Sequence, residues 1–185
     1  DRAVEDNMTA IALTDTNNLF GAMEFTKKAI ENKIQPILGA NINVEHSERN
    51  HNIKTLFNVT CLIMNKQGWQ NLSILVSTIY KNLQEYKYKF ISFEDFKEHN
   101  NGLIILFDDV NDNTSLNNNS DIYTLVKKVK SIFEDRMYIN IFKEHKTHHS
   151  LKEKNLLKLS SKFDIPLVCS NEVSFLNREM FEAQA

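Results

Sequence analysis

Residues 12–25 read ALTDTNNLFGAMEF. An apolar, strand-like run ends at Asp15, a polar turn of Thr16, Asn17 and Asn18 follows, and a helix-like run starts near Leu19. A strand that passes to a helix through a polar turn is the repeating unit of an α/β fold. Such folds place their ligands beyond the carboxyl ends of the strands. Asp15 therefore stands where metal or phosphate chemistry is built, yet the residues that follow it are neutral. The stretch is either a working site or the remnant of one.

Outward from this stretch, strand-like and helix-like runs alternate. TAIALT (9–14) reads as a strand. LFGAMEFTKKAIEN (19–32) reads as an amphipathic helix with Phe20, Met23 or Glu24, Ala29 and Ile30 on one face. IQPILGANINV (34–44) returns as a strand, and Pro36 lies near its start, where proline is tolerated. A polar loop at 46–54 leads to a strand at 55–64. The helix at 68–80 presents Trp69, Leu72, Leu75, Val76 and Ile79. A helix at 92–100 opens on Ser92 as its N-cap, with an acidic first turn. GLIILFDD (102–109) is an apolar strand that ends in two aspartates. The helix at 121–135 carries Ile122, Leu125, Val126, Val129 and Phe133 on one face. A strand (136–142), a helix capped by Ser150 (150–163), a last strand (165–171) and the opening of a further helix complete the series.

Alternation with apolar strands predicts a parallel sheet covered by helices, either doubly wound or closed into a barrel. Neither G-x-G-x-x-G nor G-x-x-x-x-G-K-[ST] occurs, which argues against a dinucleotide or P-loop fold. A complete barrel needs at least one more strand before residue 1, so the expectation is a fragment of a longer chain.

Composition narrows the function classes. With 185 residues, 42% hydrophobic and 25% charged, the chain can build one substantial core. A net charge of −2 offers no electrostatic footprint for gripping nucleic acid. No apolar run approaches a membrane span, and no signal peptide is visible. Cys61 and Cys169 lie in apolar runs and read as buried free thiols, which fits the cytoplasm. NDNTSLNNNS (111–120) reads as a mobile, asparagine-rich surface loop.

The candidate chemistry gathers at strand ends: Asp15, Asn41 and Asn43, Asp108 and Asp109, Asn140 with His145 beyond it, and Asn171 with Glu172. Hydrolytic metal sites need carboxylates and imidazoles to offset the cation's charge, whereas neutral amides bind weakly. The residue types favour a polar rim of turns and caps over a metal centre. His46 and His51 fall in a polar loop, and His99 falls near a helix end. HKTHH (145–149) reads as a surface loop. No G-x-S-x-G elbow is present, and neither cysteine has a histidine nearby in sequence.

Five segments occur in order: ALTDTNNLFGAMEF, IQPILGANINV, NKQGWQNLSILVS, NNGLIILF and IPLVCSNEVSFL. Together they resemble the N-terminal PHP domain (polymerase and histidinol phosphatase type) of bacterial DNA polymerase III α subunits. The TDTNN form is most similar to the alphaproteobacterial one. The resemblance covers residues 1–185 as a domain fragment and implies an α/β fold, a distorted (β/α)7-type PHP barrel whose first strand is missing here. Metal-binding members carry histidines and carboxylates at the strand ends. Against that pattern, T-D-H keeps Asp15 but has Thr16 in place of histidine, and the expected glutamate falls at Asn41. N-D-x-H becomes Asn171, Glu172, Val173, Ser174, and E-A-H becomes Glu182, Ala183, Gln184. The family's first H-x-H lies upstream of residue 1.

The resemblance thus implies a vestigial site of Asp15, Thr16, Asn41, Glu172, Ser174 and Gln184, with no metal and no catalytic residue in this segment. A neutral hydrogen-bonded set would replace the ions, with Asp15 capping the helix that follows. The parent chain is expected to be a DNA-directed DNA polymerase whose Mg2+ ions sit in a palm domain outside this segment. Expected partners are the proofreading exonuclease (ε-type) subunit and the rest of the α chain and holoenzyme. DNA would be reached through other domains, and no membrane is involved. The alternative is an active metal-dependent phosphoesterase or exonuclease, to which Asp15, Glu172 and His145 lend some support. A generic α/β binding domain is the third reading.

Overall fold

The structure is a computed structural model, and it describes residues 2–47, 54–86, 89–110, 119–142, 151–171 and 173. The described elements in chain order are α1 (Arg2–Glu5), β1 (Ala10–Leu13), α2 (Ala22–Glu31), β2 (Gln35–Ser47), β3 (Lys54–Ile63) and α3 (Lys66–Tyr86). After these come β4 (Ile91–Ser92), α4 (Phe93–Glu98), β5 (Leu103–Val110), α5 (Asn119–Phe133), a 3-10 turn (Glu134–Arg136), β6 (Met137–Phe142), α6 (Leu151–Phe163) and β7 (Leu167–Ser170).

The strands join in the order β1-β2-β3-β5-β6-β7, with β4 beside β2. Pairing is parallel for β1–β2, β5–β6 and β6–β7, but β3 runs antiparallel to both β2 and β5. The expected all-parallel sheet is thereby corrected. Parallel neighbours need a crossover of a dozen or more residues. Only a short polar segment separates the end of β2 at Ser47 from the start of β3 at Lys54, so the pair forms a hairpin. β2 also runs longer than expected, which puts His46 within the strand rather than in a loop. The sheet curls into a half-barrel, and the expected fold class, an incomplete PHP-type barrel, stands.

Alternation along the strands sets two faces. Ala40, Ile42 and Val44 of β2, Phe57, Val59 and Cys61 of β3, and Leu103, Ile105 and Phe107 of β5 are buried in one core with Leu72, Leu75 and Ile79 of α3. Phenylalanines stitch the layers together. Phe57 stacks on Phe107 at 6.0 Å and meets Phe96 of α4 edge-on at 6.3 Å, and Phe96 lies 5.0 Å from Phe133 of α5. The segments QGW and NNG touch through their glycines. A Cβ on Gly68 would lie 1.9 Å from the Gly102 carbonyl oxygen, and Gly102 itself has φ +74°. Glycine at both positions lets the start of α3 sit directly on the turn before β5.

Ser92 caps α4 as expected, its hydroxyl accepting from the Asp95 amide at 3.1 Å. His99 is the C-cap of the same helix. Two further expectations fail. Cys61 is buried, but Cys169, on the last strand of the sheet among the described residues, is exposed. The buried residues of α2 are Ala22 and Ala29, while Phe20, Met23 and Ile30 face outward. Ser150, the HKTHH tract and residues 111–118 of the asparagine-rich stretch lie outside the described residues. Asn119 and Ser120 belong to α5.

Candidate functional site

The TDTNN turn is tied to β2 by its backbone. Thr16 and Asn41 form a parallel bridge, the Asn41 amide donates to the Asp15 carbonyl at 3.1 Å, and the Asn17 amide donates to the Asn41 carbonyl at 2.9 Å. The structure thus brings together three of the residues read as a vestigial site: Asp15, Thr16 and Asn41. Asn17 is buried in the left-handed region at φ 58°, a conformation that asparagine tolerates better than most side chains. Asn18 closes an Asx turn, accepting from the Phe20 amide and donating to the Thr16 carbonyl, each at 3.2 Å. This turn delays α2 to Ala22, with Gly21 as an N-cap that makes no side-chain bond. Asp15 is therefore not the helix cap it was expected to be. Its carboxylate stays exposed beside the helix start, 3.9 Å from where a Gly21 Cβ would sit.

A second polar cluster crosses the sheet on the face turned away from the core. Thr60 of β3 donates to Asp108 of β5 at 3.2 Å, and the Asn140 carboxamide of β6 donates to the other Asp108 oxygen. Ser170 of β7 donates to Asn140 Oδ1 at 2.9 Å. Asp108 reaches this position through a bulge. Val59 pairs with Phe107 and Asn58 with Asp109, so Asp108 is the extra residue between them. Bulges re-aim side chains in this way and are common near sites. The two clusters adjoin, since Asn41 and Thr60 are register partners and Asn58 donates to Asn43 at 3.3 Å. Burial, reinforced by the Asp108 carboxylate, pushes the Cys61 thiol far above its ordinary range, which leaves it a poor nucleophile.

The sequence marks Asp108 and Asn140 as strand-end residues but gives no sign that Thr60 and Ser170 join them. The bonded partners are 48, 32 and 30 residues apart, and the bulge leaves no composition signal. Glu172, Ser174 and Gln184 lie outside the described residues. Among the described residues no three His, Cys, Asp or Glu side chains come together as a metal-ligand group. Among the described residues the donors do not fit a divalent cation: Asp15 stands with a hydroxyl and a carboxamide, and Asp108 already accepts from Thr60 and Asn140. Asn17 Oδ1 and Asn41 Oδ1 are buried acceptors that find no hydrogen-bond donor.

The PHP domain model matches residues 1–144. The chain belongs to the PHP domain family. It is 33% identical over 180 residues to a DNA polymerase III subunit alpha of Rickettsia bellii and 30% identical over 183 residues to that of Haemophilus influenzae. The alignments take in 95% and 96% of this PHP chain but only 15% of each relative's length. Among solved structures, an amidohydrolase from Chromobacterium violaceum with bound sulfate and no metal superposes with TM-score 0.59 at 12% identity, covering 95% of this chain and 80% of that one. A Bifidobacterium adolescentis protein described as a candidate metal-dependent phosphoesterase gives TM-score 0.58 at 9% identity, covering 91% and 78%. At these identities the structural likeness concerns the fold. Among the described residues no helix is long and apolar enough to cross a membrane.

Proposed function

We propose that this PHP domain is a non-catalytic structural part of a replicative DNA polymerase III α chain in the cytoplasm, and that it docks the proofreading exonuclease subunit. Polymerisation then belongs to a palm domain elsewhere in the chain, where carboxylate-held Mg2+ ions serve the nucleotidyl transfer and where DNA is bound. The observation that carries the non-catalytic reading is the donor chemistry at the strand ends. Thr16 and Asn41 flank Asp15, and the buried carboxylate of Asp108 is engaged by Thr60 and Asn140. A hydrolytic metal cluster needs charged ligands free to face an ion. Polymerase context is supported by the relatives' names and by alignment over nearly the whole of this chain. A docked exonuclease would gain effective concentration at the primer end.

The test is metal content. The full-length chain, purified without chelator, is expected to hold substoichiometric zinc, manganese and iron by plasma mass spectrometry. It should also co-elute with the ε-type exonuclease subunit on size exclusion. One or more equivalents of metal, lost on Asp15→Ala, would replace this reading with a metal-dependent phosphoesterase.

A further inference from the structure

Among the described residues Phe20 is the most exposed large apolar side chain, at 83%. Its backbone is nonetheless fixed. The Asn18 carboxamide accepts from the Phe20 amide at 3.2 Å, and Leu19 beside it packs against the core. The turn beyond β1 thus takes Leu19 inward and holds the Phe20 ring in solvent. The ring centroid lies 6.3 Å from that of Tyr80 of α3, with 35° between the planes. Tyr80 is half-buried and packed against the core, so its ring is a firm neighbour. Lys89, exposed just before β4, places its Nζ 5.9 Å from the centre of the Tyr80 ring, within cation–π reach. It forms no ion pair among the described residues, whereas Glu24 in the first turn of α2 is paired with Lys28 at 3.0 Å. Single exposed apolar residues are ordinary. A ring held out by a set turn, beside a second ring and an unpaired ammonium, makes a stacking face with a cation at its edge.

We propose that Phe20, Tyr80 and Lys89 hold one unpaired base of single-stranded DNA, with the base stacked on Phe20 and its phosphate beside Lys89. This contact is additional to DNA bound at the palm, and it rests on the reading that the domain is part of a polymerase α chain. The chemistry chooses the occupant. An unpaired nucleotide offers a π-face and an anionic phosphate side by side. Proteins that bind single strands meet these with aromatic rings and cations, and one stacked base is worth roughly a factor of 5 to 150 in binding. A duplex keeps its bases stacked on one another and presents phosphates instead, which a chain of net charge −2 is poorly suited to hold. A protein partner engages roughly 20–30 residues a side, and two rings and a lysine are a small part of that. The contact is therefore small and confined to single strands. It depends only weakly on salt, since it neutralises about one phosphate.

The test uses the full-length chain and a short oligodeoxythymidine strand carrying one 5-iododeoxyuridine, which cross-links on irradiation to aromatic side chains stacked against it. Peptide mass spectrometry locates the cross-links, and primer extension is read on the same preparations. The expected result is cross-linking at both Phe20 and Tyr80, besides that elsewhere in the chain, competed by unlabelled single strand and not by blunt duplex. Phe20→Leu keeps the apolar bulk and removes the ring. It should lower the yield at Tyr80 by at least about fivefold. Phe20→Trp should restore that yield, and neither variant should change primer extension. Cross-links confined to other domains would overturn the proposal, and so would a Tyr80 yield unchanged in Phe20→Leu. Rings that take no DNA cross-link but are shielded from hydroxyl-radical oxidation by the exonuclease subunit would assign the surface to a protein, which overturns it too. A wild-type chain that extends no primer sinks the polymerase reading. One that extends primers yet leaves both rings unlabelled sinks this proposal alone.

Discussion

The two faces of the same strands do different work. On the helix side, Phe57, Val59 and Cys61 of β3 join one apolar core. On the opposite side, Asn58 and Thr60 of the same strand meet Asn43 and Asp108. The apolar face is held by non-directional contact among many side chains, so each residue's neighbours are partly interchangeable. The polar face is held by directional bonds, and each donor depends on a particular acceptor. The first face gives the sheet its stability. The second fixes the relative register of β3, β5, β6 and β7 at the end where a site would lie. A fold can therefore lose its ligands from the polar face and keep its shape through the other.

The largest effect that separates the faces should come from Phe57→Ala. Phe57 is fully buried and touches rings from α4 and β5. Its removal is expected to cost about 3–5 kcal/mol. Hydrogen exchange of the β3 and β5 amides in the full-length chain would report that loss locally, since protection follows the opening free energy of each region. Unchanged protection would mean that the phenylalanine chain is not what holds the sheet.

Asp108→Ala should have a smaller effect, about 1–3 kcal/mol, because it strands the buried Asn140 carboxamide and the Thr60 hydroxyl without their acceptor. Asp108→Asn keeps the shape and one carbonyl acceptor, so it should lose less than the alanine variant. If the two variants were equally harmful, charge rather than hydrogen bonding would be the relevant property. Deprotection should then centre on β5 and β6 and spare the edge at β1. A loss spread evenly over the sheet would dissolve the distinction between the two faces.

The same contrast explains what the sequence disclosed. The apolar face was legible because its residues repeat locally: Trp69, Leu72, Leu75, Val76 and Ile79 announce one side of α3, and of these Trp69 is half-buried and the other four are buried. Patterning failed where exposed apolar residues are mixed among the charges of a helix. In α2 the sequence grouped Ala29 with Phe20, Met23 and Ile30, but the helix turns Ala22 and Ala29 inward with Phe25 half-buried and leaves the other three exposed. Strand direction was readable in principle, since the polar segment between β2 and β3 is too short for a crossover, but apolar content alone suggested a parallel neighbour. The polar network was not readable, because it joins residues distant in sequence through a bulge. Thr16 and Asn41 were paired beforehand only through the family pattern, and the backbone bridge between them supplies the physical link.

The smallest effect should come from Thr16→Ala, and it bears most directly on the TDTNN turn. Thr16 contributes its backbone to the bridge with Asn41, and its carbonyl accepts from Asn18, while the residue itself is exposed. Alanine preserves both backbone roles, so stability should change by less than about 0.5 kcal/mol, as for other surface substitutions away from special features. A larger loss would mean that the hydroxyl holds something, either a buried polar partner or an ion. The orphaned carboxamide oxygens of Asn17 and Asn41 would then be the first groups to suspect. Repeating the measurement with chelator separates those cases: an ion-dependent loss disappears once wild type is also stripped, whereas a protein hydrogen bond is indifferent to it. A small loss that chelator does not alter leaves Thr16 a spacer in a turn whose geometry is set by backbone bonds and by Asn17 and Asn18.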